Sequence, residues 1–345
     1  MNAFSNSATT SATATLAAFA ANLKTADIPE HVLRKTEDLW VDWFGSAIAG
    51  HGSRPVETLT TFALSMGPAS GPSEVFTNRS TSSPYWAAMA NAAASHVAEQ
   101  DDVHNGSVFH PATVVFPPVL AVAQALGTTG AQLITAAVVG YEVGARYGAS
   151  LRINKGMHVD GNWPALGAAA AVAHAMGLSP EQIAQAVQVA ACQMPMSLYL
   201  PIQSGATSRN TYLGHAAQLG QSAALAVASG VTAPANAAEV YAQIGLGKEA
   251  LPFDTRQEFH ILQAYFKPYA AVRHVHYGAL AASHLRQAID VQQIQSITLH
   301  IYEEATIYCG NRAPQTPLQA QFSLSFGLAA MLRWGRLDPW VYREP

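Results

Sequence analysis

Apolar positions recur at helical spacing through most of the chain and give way to strict alternation only near its end. Leu16 to Leu23 reads as an alanine-rich helix. Asp27-Ile28-Pro29-Glu30 opens a second, with proline in the first turn and an acid at the positive helix end. Val32, Leu39, Trp40, Trp43 and Phe44 then fall on one face until Gly50-His51-Gly52 stops the pattern. Ser83-Pro84 begins a helix through Val97 that delivers an acidic run just past its end.

Further helices are predicted over Pro118–Ala125, Ala131–Tyr147, Pro164–Met176, Pro180–Cys192, Gly214–Ala228, Tyr277–Ala288 and Phe322–Leu332, several opened by proline. Their faces are built from small residues, which lets neighbouring backbones approach closely. Ile294, Ile297, Leu299 and Ile301 instead follow a period of two in their second half, the pattern of a half-buried strand. The chain is therefore expected to be mainly α: a frayed N-terminus over 1–15, a large all-helical domain over 16–266, and a smaller, shortened α/β lid domain over 267–345.

Composition narrows the function. Only 12% of the residues are charged, against the usual share of about 25%, and half are apolar, which excludes disorder for the bulk of the chain. The net charge is −4 and the longest basic run is Arg34-Lys35, so no nucleic-acid partner is expected. Uncharged stretches such as Trp163–Leu178 are broken by Pro, Gly and His and fall short of the roughly 20 residues of a membrane span, so no membrane partner is expected either. Cys192 and Cys309 form no disulfide framework or CxxC motif, which points to a reducing cytoplasm. The chain carries 13 His and 13 Arg but only 5 Lys, and abundant histidine favours acid/base chemistry.

Four polar segments stand out in this apolar background. Glu99-Gln-Asp101-Asp102-Val-His104, with His110-Pro111 close behind, brings carboxylates and imidazoles to a helix end, where they shift each other's pKa and supply a base with its orienting partner. The same cluster has the residue types of a metal triad, without the spacing of a zinc motif. Gly156-Met-His158-Val-Asp160-Gly161 exposes an imidazole on a turn beside a carboxylate. Ser208-Arg209, at the start of a helix, makes a candidate carboxylate nest. Lys267, Arg273, His274 and His276 crowd the junction of the two expected domains. His51, His96, His174, His215, His260, His284 and His300 read as structural histidines.

These elements together resemble the MmgE/PrpD family, which includes 2-methylcitrate dehydratase, cis-aconitate decarboxylase and iminodisuccinate epimerase. The resemblance rests on Val41-Asp-Trp-Phe-Gly-Ser-Ala-Ile-Ala-Gly50, the run from His96 to His104 with His110-Pro111, Gly156-Met-His158, and Gly205 to Gly214. It continues through Lys267-Pro-Tyr269 with Arg273 and His276, Asn311-Arg312, and Pro317 to Ser323. It implies a large helical domain with a smaller α/β lid, a homodimer, no metal and no cofactor. The implied chemistry is removal of a proton next to a carboxylate of a small di- or tricarboxylate, followed by loss of hydroxide, loss of CO2 or reprotonation.

The resemblance places His110, His158 and Lys267 in the active site; on the present reading His110 and His158 are catalytic with Asp101, Asp102 and His104 around them, while Glu99, Ser208, Arg209, Lys267, Arg273, His276 and Tyr308 bind substrate. The family's tyrosine near Asn311-Arg312 falls at Tyr308 or Cys309. The decarboxylase branch has Asp, Thr, Lys and His where this chain has Glu99, Val103, Arg209 and Val272. A hydro-lyase of 2-methylcitrate dehydratase type is thus expected first. Epimerisation or decarboxylation, a non-catalytic carboxylate-binding paralogue and a metal hydrolase are the alternatives.

Overall fold

A computed structural model describes residues 12–151, 153–241, 243 and 258–343. Residues 1–11 of the segment expected to fray and 244–257 of the expected helical domain lie outside the described residues. Helix α1 (Ala12–Asn22) already begins inside that N-terminal segment. It is followed by α2 (Glu30–Ala49), α3 (Arg54–Met66), the antiparallel ribbon β1 (Ser73–Val75) with β2 (Ser80–Ser82), and α4 (Pro84–Val97). Strand β3 (Val103–His104) precedes α5 (Pro111–Leu126), α6 (Gly130–Ser150), α7 (Pro164–Ala175) and α8 (Pro180–Cys192). Then come α9 (Leu200–Ser204), α10 (Thr211–Ala228) and α11 (Ala237–Tyr241). Strand β4 (Ala264–Tyr265) returns to pair with β3, Val103 opposite Tyr265 and His104 opposite Ala264. The chain closes with α12 (Arg273–Ala288), α13 (Glu303–Cys309), α14 (Pro317–Gln321) and α15 (Leu324–Trp334). The fold is mainly α.

Helix α7 is the hub, packed on α5, α6, α8 and α10, and ten of its twelve residues are buried. Small residues make this possible. A Cβ on Gly167 would lie 2.4 Å from the Gly140 carbonyl oxygen and 3.0 Å from the Cα of Gly144, so α6 and α7 touch backbone to backbone. Local signals set the ends of the surrounding helices. Ser179 and Gln182 close a reciprocal box at the start of α8, and Thr129 and Gln132 do so at the start of α6.

A second core gathers Val275, Ala279, Cys309, Phe322, Met331 and Leu337 from the C-terminal helices, together with Tyr199 and Ile202 from before the expected boundary. Two readings need correction here. Residues 294–302 form neither helix nor strand and pair with no strand among the described residues, so the expected strand is absent. Leu299 and Ile301 dock on the second core with His300 exposed between them, so the alternation there marks two faces of a chain laid over helices, and Ile297, of the same parity, has already left the core at 51% exposure. Helix α5 starts at Pro111, seven residues before the expected start. Pro117 and Pro118 lie inside it, held by burial of everything from Pro111 to Val119.

Candidate active site

Four separate stretches meet beneath a cavity of about 550 Å³ lying between the two cores. The end of α4 and the loop after it bring His96, Glu99, Asp101 and Asp102, and the first turn of α5 follows His110. The loop before α7 brings His158 and Asp160, a short 3-10 turn before α10 brings Arg209, and the segment after β4 brings Lys267. Glu99 occupies the position after α4 where a helix commonly ends on glycine, with φ of +52°. A left-handed residue with a side chain costs on the order of 1 kcal/mol, and here that conformation turns a carboxylate onto Arg209 and Lys267.

The charges interlock. His96 spends Nδ1 on Asp101 Oδ2 (2.8 Å) and Nε2 on Asp160 Oδ2 (2.9 Å), so both ring nitrogens donate to carboxylates. Burial and nearby Arg209 push its pKa down, but Asp101, Asp160 and Glu99 outweigh them and hold it up at about 9. His96 is the imidazolium that ties the two acidic loops together. Lys267 donates to the Glu99 carbonyl (3.1 Å), Glu99 Oε2 (3.3 Å) and Asp101 Oδ1 (3.3 Å), which uses its three N–H groups. Arg209 binds Glu99 through Nη2, which lies 3.5 Å from Asp160, while its buried Nε and Nη1 have no hydrogen-bond partner among the described residues. Against burial, Arg209 and Lys267 draw Glu99 down to about 2, and His110, His96 and Lys267 hold Asp101 well below the carboxylate range.

The two cavity histidines are set in opposite ways. His110 Nδ1 sits 2.9 Å from the Asp102 carbonyl oxygen and 3.0 Å from Asp101 Oδ2, two groups that only accept, so Nδ1 carries a proton and in the neutral ring the lone pair is on Nε2. His158 Nδ1 instead accepts the Asp160 N–H at 3.1 Å, so the neutral ring carries its proton on Nε2. Burial pushes His158 down to about 4 against the pull of Asp160.

The cavity wall takes in Glu99, His110, His158, Arg209, Lys267, Arg273 and Tyr308 from the residues singled out in the sequence. The remaining ones sit elsewhere. Asp101 lies directly behind the wall. Asp102 accepts from Tyr141 (3.0 Å) and from the Ala112 N–H at the start of α5 (3.2 Å), and burial beside Asp42 and Asp101 pushes its carboxyl well up. Its side chain caps a helix, and its carbonyl orients His110. His104 bonds Ser107 below the cavity, where burial drives it down to about 4. His276 is turned onto the Ala271 carbonyl at 2.8 Å. Ser208 is exposed, its carbonyl accepting from Thr211. Tyr308 lines the cavity while Cys309 is buried in the second core.

By sequence His96 reads as structural and Tyr199 goes unnoticed, while Asp160 and His274 stand in their segments without a role; each belongs to the site or its wall. The available signal for His96 was its place three residues before Glu99 at the end of a helix that leads into the acidic run. His96, His110 and Asp160 are close enough together to suggest a metal. The donor set does not suit one, because both His96 nitrogens already donate to carboxylates and offer no lone pair. No described helix is long and apolar enough to cross a membrane.

Comparison with known proteins places the chain. Residues 14–248 match the MmgE/PrpD N-terminal domain and residues 269–345 the MmgE/PrpD C-terminal domain. A cis-aconitate decarboxylase from Aspergillus terreus (strain NIH 2624 / FGSC A1156) is 32% identical over 219 residues, covering 59% of this chain and 44% of that one. A cis-aconitate decarboxylase-like protein from Aspergillus oryzae (strain ATCC 42149 / RIB 40) is 30% identical over 193 residues, covering 52% and 40%. The chain thus spans less than half the length of the curated relatives it matches. With both domain matches following one another in order along nearly its whole length, the chain belongs to the MmgE/PrpD family.

Proposed function

We propose that the protein is a hydro-lyase of 2-methylcitrate dehydratase type, acting on a small hydroxy di- or tricarboxylate by side-chain acid/base chemistry. The observation that carries this reading is the opposite setting of the two cavity histidines beside a cation with unused donors. Arg209 offers Nε and Nη1 to a substrate carboxylate. His110, oriented through Nδ1 by Asp101 and the Asp102 carbonyl, takes the proton from the adjacent carbon on its bare Nε2. Negative charge then grows on the anchored carboxylate, where Arg209 meets it with donors already in place. His158 presents Nε2–H to the hydroxyl that departs as a neutral imidazole does, by hydrogen bonding. The electron pair of the broken C–H bond becomes the new C=C bond, the C–O bond breaks, and the abstracted proton leaves on that oxygen as water.

Decarboxylation is the second reading, favoured by the names of the relatives at 30–32% identity. Against it stands Val272 in the cavity wall, where the decarboxylase branch carries a histidine. Incubation with 2-methylcitrate, citrate and cis-aconitate in D2O, followed by proton NMR, separates the two. Olefin formation with all carboxylates retained is the expected result. His110→Gln should suppress both turnover and deuterium uptake by about 10²–10⁴-fold, and His158→Gln should slow elimination more than exchange. CO2 release in place of dehydration would establish the second reading, and thermal stabilisation by these acids without turnover would leave a carboxylate-binding protein.

A further inference from the structure

Tyr199 stands in both halves of the site. It lines the cavity and belongs to the second core, yet its ring lies on that of His158, with centroids 5.7 Å apart and planes 23° from parallel. The backbones hold the pair in place. Met157 and Leu198 form an antiparallel bridge, the His158 N–H donates to the Ser197 carbonyl (2.8 Å), and the Tyr199 N–H donates to the Gly156 carbonyl (2.9 Å). Behind the ring, Tyr308 and Phe322 pack with centroids 4.8 and 6.0 Å away, and the Tyr199 hydroxyl donates to the Tyr308 carbonyl (2.9 Å). A phenol has a single hydrogen, so Tyr199 has none left to give a ligand, and burial pushes its pKa well up and keeps it neutral. What it offers the site is its face.

His158 needs that face. Its ring is anchored at Nδ1 by the Asp160 N–H, but the second side-chain torsion of a histidine has a broad well, so one hydrogen bond leaves the ring free to tilt. Stacking removes this freedom and fixes where Nε2–H points. Resting on the hydro-lyase reading, we propose that Tyr199 is a positioning residue: its ring holds the plane of His158 at the angle that elimination requires. Its hydroxyl ties that plane to α13, the helix that carries Glu304 and Tyr308 of the cavity wall.

Tyr199→Leu, which removes the ring, and Tyr199→Phe, which keeps it and drops the bond to Tyr308, test this. Each is read by NMR of the labelled ring nitrogens of His158, and by kcat, KM and deuterium exchange with 2-methylcitrate in D2O. Tyr199→Leu should shift the His158 resonances and slow elimination by about 10–100-fold, the scale of a misplaced catalytic group. KM and deuterium exchange, which His110 performs, should stay near wild type. Tyr199→Phe should restore the resonances and most of the elimination rate. Where the leucine variant fails to fold, Tyr199→Met, which fills the space with a flexible chain, repeats the comparison. Unchanged His158 resonances without the ring, a phenylalanine variant as impaired as the leucine one, or equal loss of exchange and elimination would overturn the proposal. A wild-type protein that neither exchanges nor eliminates would remove the hydro-lyase reading and the role in elimination, while the resonances would still show whether Tyr199 orients His158.

Discussion

The floor of the cavity and its C-terminal wall are built on different principles. On the floor, Glu99, Asp101, Asp160, His96, Arg209 and Lys267 come from four stretches of chain, are all but fully buried, and are tied by several ion pairs each. On the wall, Arg273 and Glu304 stand 3.8 Å apart with 30% and 55% of their side chains exposed. Just before Glu304 in the chain, residues 294–302 form neither helix nor strand. The floor fixes its charges before any ligand arrives, and the wall leaves its own largely in water. Preorganised charge is worth most where the reaction develops charge, and an exposed pair is worth little anywhere.

Changing pH should give the largest effect and separate the halves. Burial lowers His104 and His158 on the floor side, and His274 and His276 on the wall side, to about 4 from an ordinary 6.5. An unfolded chain binds those protons first, so stability falls as pH drops from about 6.5 towards 4, and both halves contribute. His96 acts in the other sense and belongs to the floor alone. Its stabilisation is fully present below about 6.5 and is lost as pH rises through about 9. Urea melts across this range should show both limbs, and His96→Gln should remove the alkaline one.

Next in size, Arg209→Met leaves Glu99 and Asp160 short of their buried partner and should destabilise the fold by about 3–5 kcal/mol in the same melts. A result below 1 kcal/mol would mean that the floor is not a cooperative unit. Gly167→Ala tests the scaffold beneath it. A methyl group 2.4 Å from the Gly140 oxygen forces α6 and α7 apart, at about 1–3 kcal/mol. Smallest of all, Glu304→Gln should change stability by less than about 1 kcal/mol, because its ion pair is long and exposed. Any larger loss would show that the wall is built like the floor.

The parts of this contrast that could be read from sequence are those decided locally. Helix α8 lies at the expected Pro180–Cys192 because Ser179, Pro180 and Gln182 specify its start within four residues. The acidic run and its histidines were legible for the same reason, as a dense polar group in an apolar chain. His96 was not, since an isolated histidine on a buried helix carries no mark of the loop that meets it. Asp160, 64 positions away, joins Asp101 in making it an imidazolium. The unpaired segment at 294–302 shows the converse, because alternation records two environments and cannot by itself supply a neighbouring strand.

Lys267 has one more consequence. An ammonium whose three hydrogens are held by the Glu99 carbonyl and two carboxylates has no lone pair to attack with, so it should be inert to amine-directed reagents. Lys24 and Lys155 are exposed and should be modified within minutes, while Lys267 waits for the carboxylates around it to let go. Its rate of acylation, read by peptide mass spectrometry, then becomes a clock for how often the floor comes apart, independent of any substrate.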